Sequence, residues 1–578
     1  MPFAIRRLAV KTYLTVFLSM AVFIPPVFSQ APSHKYGGQL VLASSSDPKS
    51  FNDIVAQETS TSMVTELIYE GLIRTNAVTL KEEPNLAERW SVLPNGLQWT
   101  FHLRKGVLWN DGQPFTADDV VFTFNDLIFN EEIPSPARDI FTIDGEKFKV
   151  EKLDDYTVKF TLPVKFAPFL RGMGQAILPK HKLQQAVEEG RFNFTLGIDT
   201  PPEEVVGTGP YKLQAYSPGE RIVFKRNPRY WRKSAQGEAL PYIEKVIYLI
   251  VRNEDTAILK FLDGELDYLS VHGKDYPLLK PLEQEKNFTM YDTGPDFSTN
   301  FISFNQNPDV NPHTQKPFVD PVKLKWFTNL SFRQAVAHAI DKKKIIEILM
   351  NELGYPQHAA MSPSAGFFYN PSVMKYEYDL DKAKSILTQA GFTDRNNDGT
   401  IEDLNGHPVQ FNLITNSGST ERVQIASIIR HDLQKLGMKV NFVALEFNSL
   451  VSKISASFDW EAVVLGLTGG IEPHFGKNVW ASDGHLHLWH PLQKTPATEW
   501  EKRLDGIFSQ GVKELNEQKR KTLYDEFQWI VSKELPVIYT VLESNILAVR
   551  NKFENLKPTA YGGVWHNLDE IYIKEEYK

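Results

Sequence analysis

The chain contains no cysteine. A disulfide framework, a thiolate metal site and a lipid-bearing amino-terminal cysteine are therefore all excluded. Positive charge is also in deficit: the formal net charge is −8, and residues 1–30 hold Arg6, Arg7 and Lys11 but no acid, so a chain without them carries about −11. Such a surface does not displace phosphate counterions, which argues against a nucleic-acid partner. Long apolar runs are confined to Thr12–Ile24, thirteen residues that are short for a membrane span. Motifs of common enzymes are missing too, with no G-x-S-x-G, H-E-x-x-H or G-x-x-x-x-G-K-[ST]. No repeat of 20 to 50 residues stands out, which removes solenoids and propellers.

What is present is a large mixed chain. At 578 residues, 42% hydrophobic and 23% charged, it exceeds what one core supports and divides into two or more globular units. Residues 1–30 follow the order of a secretory signal: basic residues, the apolar run, then Pro25-Pro26 and small residues, with cleavage expected after Ser29 or Ala31. Secretion without a lipid anchor makes a periplasm the expected compartment. Strand patterns recur at Gly38–Ser44, Lys152–Leu162, Tyr211–Gln214, Arg221–Lys225, Lys245–Val251, Val409–Thr415, Lys439–Ala444, Glu461–Gly466 and Val537–Leu542. Helical stripes span Met63–Tyr69, Asp255–Leu262, Phe332–Met350, Leu380–Ala390, Glu421–Leu436 and Glu517–Lys533. Helices and strands in this order predict an α/β protein.

One stretch, Ala87–Phe124, joins a turn, a strand, a second turn and a capped helix. Leu97, Trp99, Phe101 and Leu103 alternate with Gln98, Thr100, His102 and Arg104, the period of a strand buried on one face. Pro94-Asn95-Gly96 turns into it. Thr116 with Asp119 three residues on forms a capping box for the helix carrying Val120, Val121 and Phe124.

That order resembles the signature segment of the family 5 extracellular solute-binding proteins, which deliver oligopeptides, dipeptides, nickel chelates or oligosaccharides to ABC importers. Gly207-Thr208-Gly209-Pro210-Tyr211-Lys212-Leu213 is similar to the family's GTGPY strand entry, and Asn227-Pro228-Arg229-Tyr230-Trp231 to its N-P-x-Y-W turn. Ser331-Phe332-Arg333-Gln334-Ala335 through Asp341-Lys342, and Ala390-Gly391-Phe392, continue the likeness over essentially everything after residue 36. The resemblance implies a two-lobed periplasmic-binding-protein fold with a hinge: a base lobe from residues 36–75, 201–299 and 535–578, an inserted subdomain at 76–200, and a second lobe at 300–534. It implies capture of a peptide or similar oligomeric solute by hinge closure, without catalysis, and delivery by a monomer to an ABC permease in the inner membrane. The alternatives are an oligosaccharide ligand, or a secreted hydrolase whose two carboxylates need only spatial proximity.

Site candidates follow from both sources. In relatives the loop similar to W-T-x-D-x-x-D-P presents an aspartate to the ligand's amino terminus; the nearest match here is Glu472-Pro473, one methylene longer, and an exposed loop acid is the bland alternative. Gly469 and Gly470 admit close backbone approach or simply a turn. Trp480 and Trp489, with Asp483 between them, offer aromatic faces for sugar rings or peptide side chains, or pack in the core. Relatives touch ligand with the loop that here reads Glu58, Thr59, Ser60 and Thr61, which helix capping also explains. His474, His485, His487 and His490 crowd one segment but match no zinc spacing, and read as polar cleft or surface residues. Asp394, Asn396 and Asp398, with Gly399, fit the first half of a calcium loop whose twelfth position is Asn405 rather than glutamate; no cofactor is required, and either calcium or a plain Asx-rich turn accounts for them.

Overall fold

The computed structural model describes residues 34–56, 59–143, 145–311, 314–484 and 486–578. The expected signal at 1–30, Glu58 and His485 lie outside them. Among the described residues no helix is long and apolar enough to cross a membrane.

Four sheets carry the architecture. Gln39–Ser44, Lys245–Ile250, Arg221–Arg226 and Tyr211–Ser217 lie side by side in that order, the first pair parallel and the rest antiparallel. A second sheet of this base sets the long strand Val541–Arg550 between Tyr268–Val271 and Phe288–Pro295. The inserted sheet orders Ala87–Val92, Gln98–Leu103, Thr157–Thr161 and Lys149–Asp154, all antiparallel. The opposing lobe has five strands: Lys439–Leu445, Gln410–Asn416, Ala462–Leu467, Thr299–Phe304 and Val537–Tyr539.

Local chemistry explains the pieces. In Gln98–Leu103, Trp99, Phe101 and Leu103 are buried, as the alternation predicts, and Gly96 takes the left-handed conformation that the turn before them requires (φ +73°). The Thr116–Asp119 capping box is present and opens the helix Ala117–Phe122. Apolar rings of the inserted sheet share one continuous core with the first base sheet. In the opposing lobe the two faces of the five-stranded sheet are covered by separate apolar clusters, one centred on Phe304, Phe332 and Phe411, the other on Trp489, Tyr524 and Phe527.

Several helices differ from expectation. The stripe Phe332–Met350 is two helices, Leu330–Ala339 and Lys342–Met350, because Ile340 is extended and Asp341 caps the second through Lys344 N. The apolar period continues across the break, so the stripe alone did not mark it. The helix expected at Met63–Tyr69 runs Thr59–Thr65 and gives way to turns. A helix at Glu499–Gly511, opened by a Thr498/Glu501 capping box, was not anticipated, although that box is readable in the sequence.

The lobes are joined by two strands running side by side. Phe288–Pro295 passes into Thr299–Phe304, and Val537–Tyr539 returns through Val541–Arg550. Thr540 N donates to Asn300 O (2.9 Å) and Asp296 N to Glu543 O (2.8 Å) where they cross. At the far rim the lobes meet again: Ala167 N donates to Val512 O (2.7 Å), and the Phe166 and His474 rings are 5.9 Å apart. The space between is enclosed on two sides.

Candidate functional site

A cleft of about 1390 Å³ lies between the lobes, lined from the base, from the opposing lobe and from the carboxy-terminal segment Tyr561–Asp569. Its base wall begins where the helix Thr59–Thr65 ends. Gly209 N and Tyr211 N donate to the carbonyls of Ile68 (2.8 Å) and Leu67 (3.1 Å). A Cβ on Gly207 would fall 2.0 Å from Ile68 O, and one on Gly209 2.6 Å from Leu67 O. The GTGPY segment is thus a clamp on the helix exit, and it sets Glu66, Leu67 and Glu70 in the cleft wall.

The Asn227–Trp231 turn has an equally specific task. Tyr230 Oη and Trp231 Nε1 donate to the two carboxylate oxygens of Glu70 (3.3 and 3.0 Å). Burial pushes the Glu70 carboxyl up to about 7, against the pull of the Trp231 indole and the Arg232 charge. Arg232 pairs with Asp569 of the terminal segment.

The opposing wall is built from the loop after Ala462–Leu467. Gly469 and Gly470 line the cleft. A Cβ on Gly469 would sit 2.3 Å from Phe297 O, whereas one on Gly470 meets open space. Glu472 also lines the cleft, but its carboxylate is committed: Arg520 donates to both oxygens (3.1 and 2.5 Å), and Glu472 caps the following turn by accepting from His474 N (3.0 Å). Both side chains are nearly sealed, 4% and 6% exposed. Arg520 is held further by Gly511 O (2.8 Å) and the rings of Phe368 and Tyr524.

Trp480 lines the cleft and packs on Trp489 and Phe527. Trp489 does not reach the cleft; it is 1% exposed and donates Nε1 to Glu501 Oε1 (3.0 Å). Glu501 simultaneously accepts from Ala497 N and Thr498 N, and against burial its carboxyl is held down at about 2 by His487, the Trp489 indole and the Thr498 hydroxyl. His487 and His490 are buried, which corrects their reading as cleft or surface residues, and the His487 imidazole packs behind the wall against Trp489 and Glu501. His474 is half-buried against Phe166. Asp483 is exposed and lies outside the cleft; Thr59, Ser60 and Thr61 lie outside it too, and Thr61 is fully buried and accepts from Lys49 N (3.2 Å).

At the hinge, charged groups from both lobes converge. His272 of the base lies 3.2 Å from Glu543 on the returning strand, and Glu421 of the opposing lobe accepts from Asn300 on the outgoing one (3.1 Å). Hydrogen bonding to Glu543 raises His272 to about 9; burial, then the Glu543 charge, raises Glu421 to about 7.

Asp394, Asn396 and Asp398 form an exposed turn apart from the cleft. Asp394 and Asn396 accept from the turn's own amides, Asp398 N and Gly399 N, at 2.8–3.2 Å, and Asp398 accepts from Thr400 N (2.7 Å). The carboxylates of Asp394 and Asp398 approach that of buried Glu402 within 4.8 Å.

Similarity to known proteins fits this geometry. The model of the bacterial extracellular solute-binding proteins, family 5 (middle region), matches residues 81–484. A probable ABC transporter-binding protein of Deinococcus radiodurans is 27% identical over 518 residues, 85% of this chain and 84% of that protein. The oligopeptide-binding protein AppA of Bacillus subtilis is 25% identical, with 99% of each chain covered. Its structure with a nonapeptide superposes with a TM-score of 0.73 at 24% identity, over 93% of this chain and 99% of that one. The periplasmic binding protein MelB of Agrobacterium fabrum, in complex with stachyose, superposes at 0.74 with 21% identity, over 94% and 86%.

Proposed function

This chain belongs to the bacterial extracellular solute-binding proteins of family 5, and we propose that it captures a peptide or similar oligomeric solute in the periplasm and hands it unaltered to an ABC permease of the inner membrane. It works as a monomer. The observation that carries this reading is the cleft itself. Its volume of about 1390 Å³ exceeds the roughly 300–1,000 Å³ of pockets for single small molecules, and it is walled by two lobes between which the chain crosses on two adjacent strands. A solute touching both walls stabilises the closed form over the open one, which is all that hinge closure requires. AppA, which binds a nonapeptide, supports the peptide reading.

An oligosaccharide is the second reading, favoured by the Trp480 face in the wall and by the stachyose complex of MelB. A thermal-shift screen of di- to penta-peptides, oligosaccharides and nickel complexes separates the two. A true ligand at 100 times its dissociation constant adds about 2.7 kcal/mol of stability. The solute recovered afterwards has its original mass; a cleaved solute would replace this reading with the hydrolase one.

A further inference from the structure

Seven charged side chains line the cleft. Six are engaged within the protein: Glu472 by Arg520, Glu70 by Tyr230 and Trp231, Arg232 with Asp569, Arg74 with Glu83, and Arg171 with Glu82. The seventh, Glu66, has no ion-pair or hydrogen-bond partner among the described residues. Its carboxylate is open to the cleft, yet the walls displace enough water that burial, reinforced by the neighbouring Asp53, raises its pKa. Asp53 adds no compensating cation, being held by Thr65 Oγ1 (2.6 Å) and Gln175 Nε2 (3.3 Å).

The surroundings are those of a cation site. Tyr248 and Tyr268 line the same cleft as Glu66, and burial, then the Glu66 charge, pushes the Tyr248 phenol upward. Tyr268 contacts the ring of Trp565 at 5.8 Å, and the buried indole N–H of Trp565, also at the cleft, has no acceptor among the described residues. A carboxylate beside aromatic faces attracts an ammonium or guanidinium, and a free N–H next to it suits a carbonyl oxygen. Closing the cleft over an unpaired carboxylate is costly unless the solute brings the opposite charge.

We propose that Glu66 is the specificity-determining residue of the cleft, receiving a cationic group of the solute, an ammonium or guanidinium, against the rings of Tyr248 and Tyr268. This rests on the reading of the cleft as the solute site, and it narrows the solute class to cation-bearing peptides.

The test uses two tetrapeptide libraries, one with free amino termini and one N-acetylated and devoid of Lys, Arg and His, with stachyose as the neutral probe. Retention by wild type and by Glu66→Gln is read by mass spectrometry after desalting, and the unliganded melting temperature of each is recorded. Wild type is expected to retain free-amine peptides, and Glu66→Gln to lose about 30-fold or more, the lower range for removing one partner of an enclosed charge pair. Because no partner inside the protein is lost, unliganded Glu66→Gln should melt no lower than wild type. Equal retention of free-amine peptides by both proteins, or a lower unliganded melting temperature, overturns the assignment of Glu66 while peptide capture stands. Preference of wild type for the acetylated library or stachyose, or retention of neither library, overturns both.

Discussion

The two walls of the cleft treat charge in opposite ways. On the opposing lobe, Glu472 is neutralised by Arg520, with both side chains sealed and the guanidinium packed on Phe368 and Tyr524. On the base lobe, Glu66 faces the cleft with no counter-charge. Two acids on one cavity therefore have different physical roles: the first holds a loop in shape, the second is left for something not yet there. Position in a cleft does not by itself mark a recognition residue; an unfilled valence does.

The largest expected contrast comes from breaking the two walls in parallel. Arg520→Met strands the Glu472 carboxylate in the interior and should cost about 3–5 kcal/mol in urea unfolding, whereas Glu66→Gln should change the same measurement by no more than about 0.5 kcal/mol. A small effect at Arg520 would erase the distinction. Next, Gly469→Ala should cost about 1–3 kcal/mol, since its Cβ would meet Phe297 O at 2.3 Å, while Gly470→Ala, with open space beside it, stays near wild type. Of similar size or smaller is Trp489→Phe, which removes the hydrogen bond to Glu501 and should lower the melting temperature without altering solute affinity; Trp480→Ala, in the wall itself, should weaken affinity.

The smallest expected effect is pH-dependent and belongs to the hinge joining the walls. Glu421 is raised from 4.5 to about 7 and His272 from 6.5 to about 9. Each binds its proton more tightly in the folded protein, so each contributes stability at low pH that is lost as pH rises through its folded value. Melting temperature should therefore decline between about pH 4.5 and 9. His272→Gln should flatten the part above about 6.5. Partial exposure of His272 screens the effect and keeps it modest.

Much of the fold was legible because its signals are local. The strand at Gln98–Leu103, the Thr116–Asp119 cap and the helix Glu517–Glu534 each follow from residues within a few positions of one another. The site was legible only in outline. Gly469, Gly470, Glu472 and Trp480 do line the cleft, but nothing near Glu472 in sequence announces Arg520, 48 residues later. Trp489 and Asp483 sit on the same segment as Trp480 and point elsewhere, because the short turns around them change direction at nearly every residue. Glu66 carries a weaker sequence signal than the loop preceding it. Its one local signal is that it interrupts the apolar stripe Met63–Tyr69 with a charge; that Tyr248 and Tyr268 line the same cleft is set by strands about 180 to 200 positions away in sequence.

The account is tested most directly by a crystal structure of the protein with a captured peptide. It predicts a covalently intact solute touching both walls, with an ammonium or guanidinium at Glu66 and the Glu472–Arg520 pair undisturbed. A solute resting on one wall alone, or one whose cation displaces Arg520 from Glu472, would contradict it.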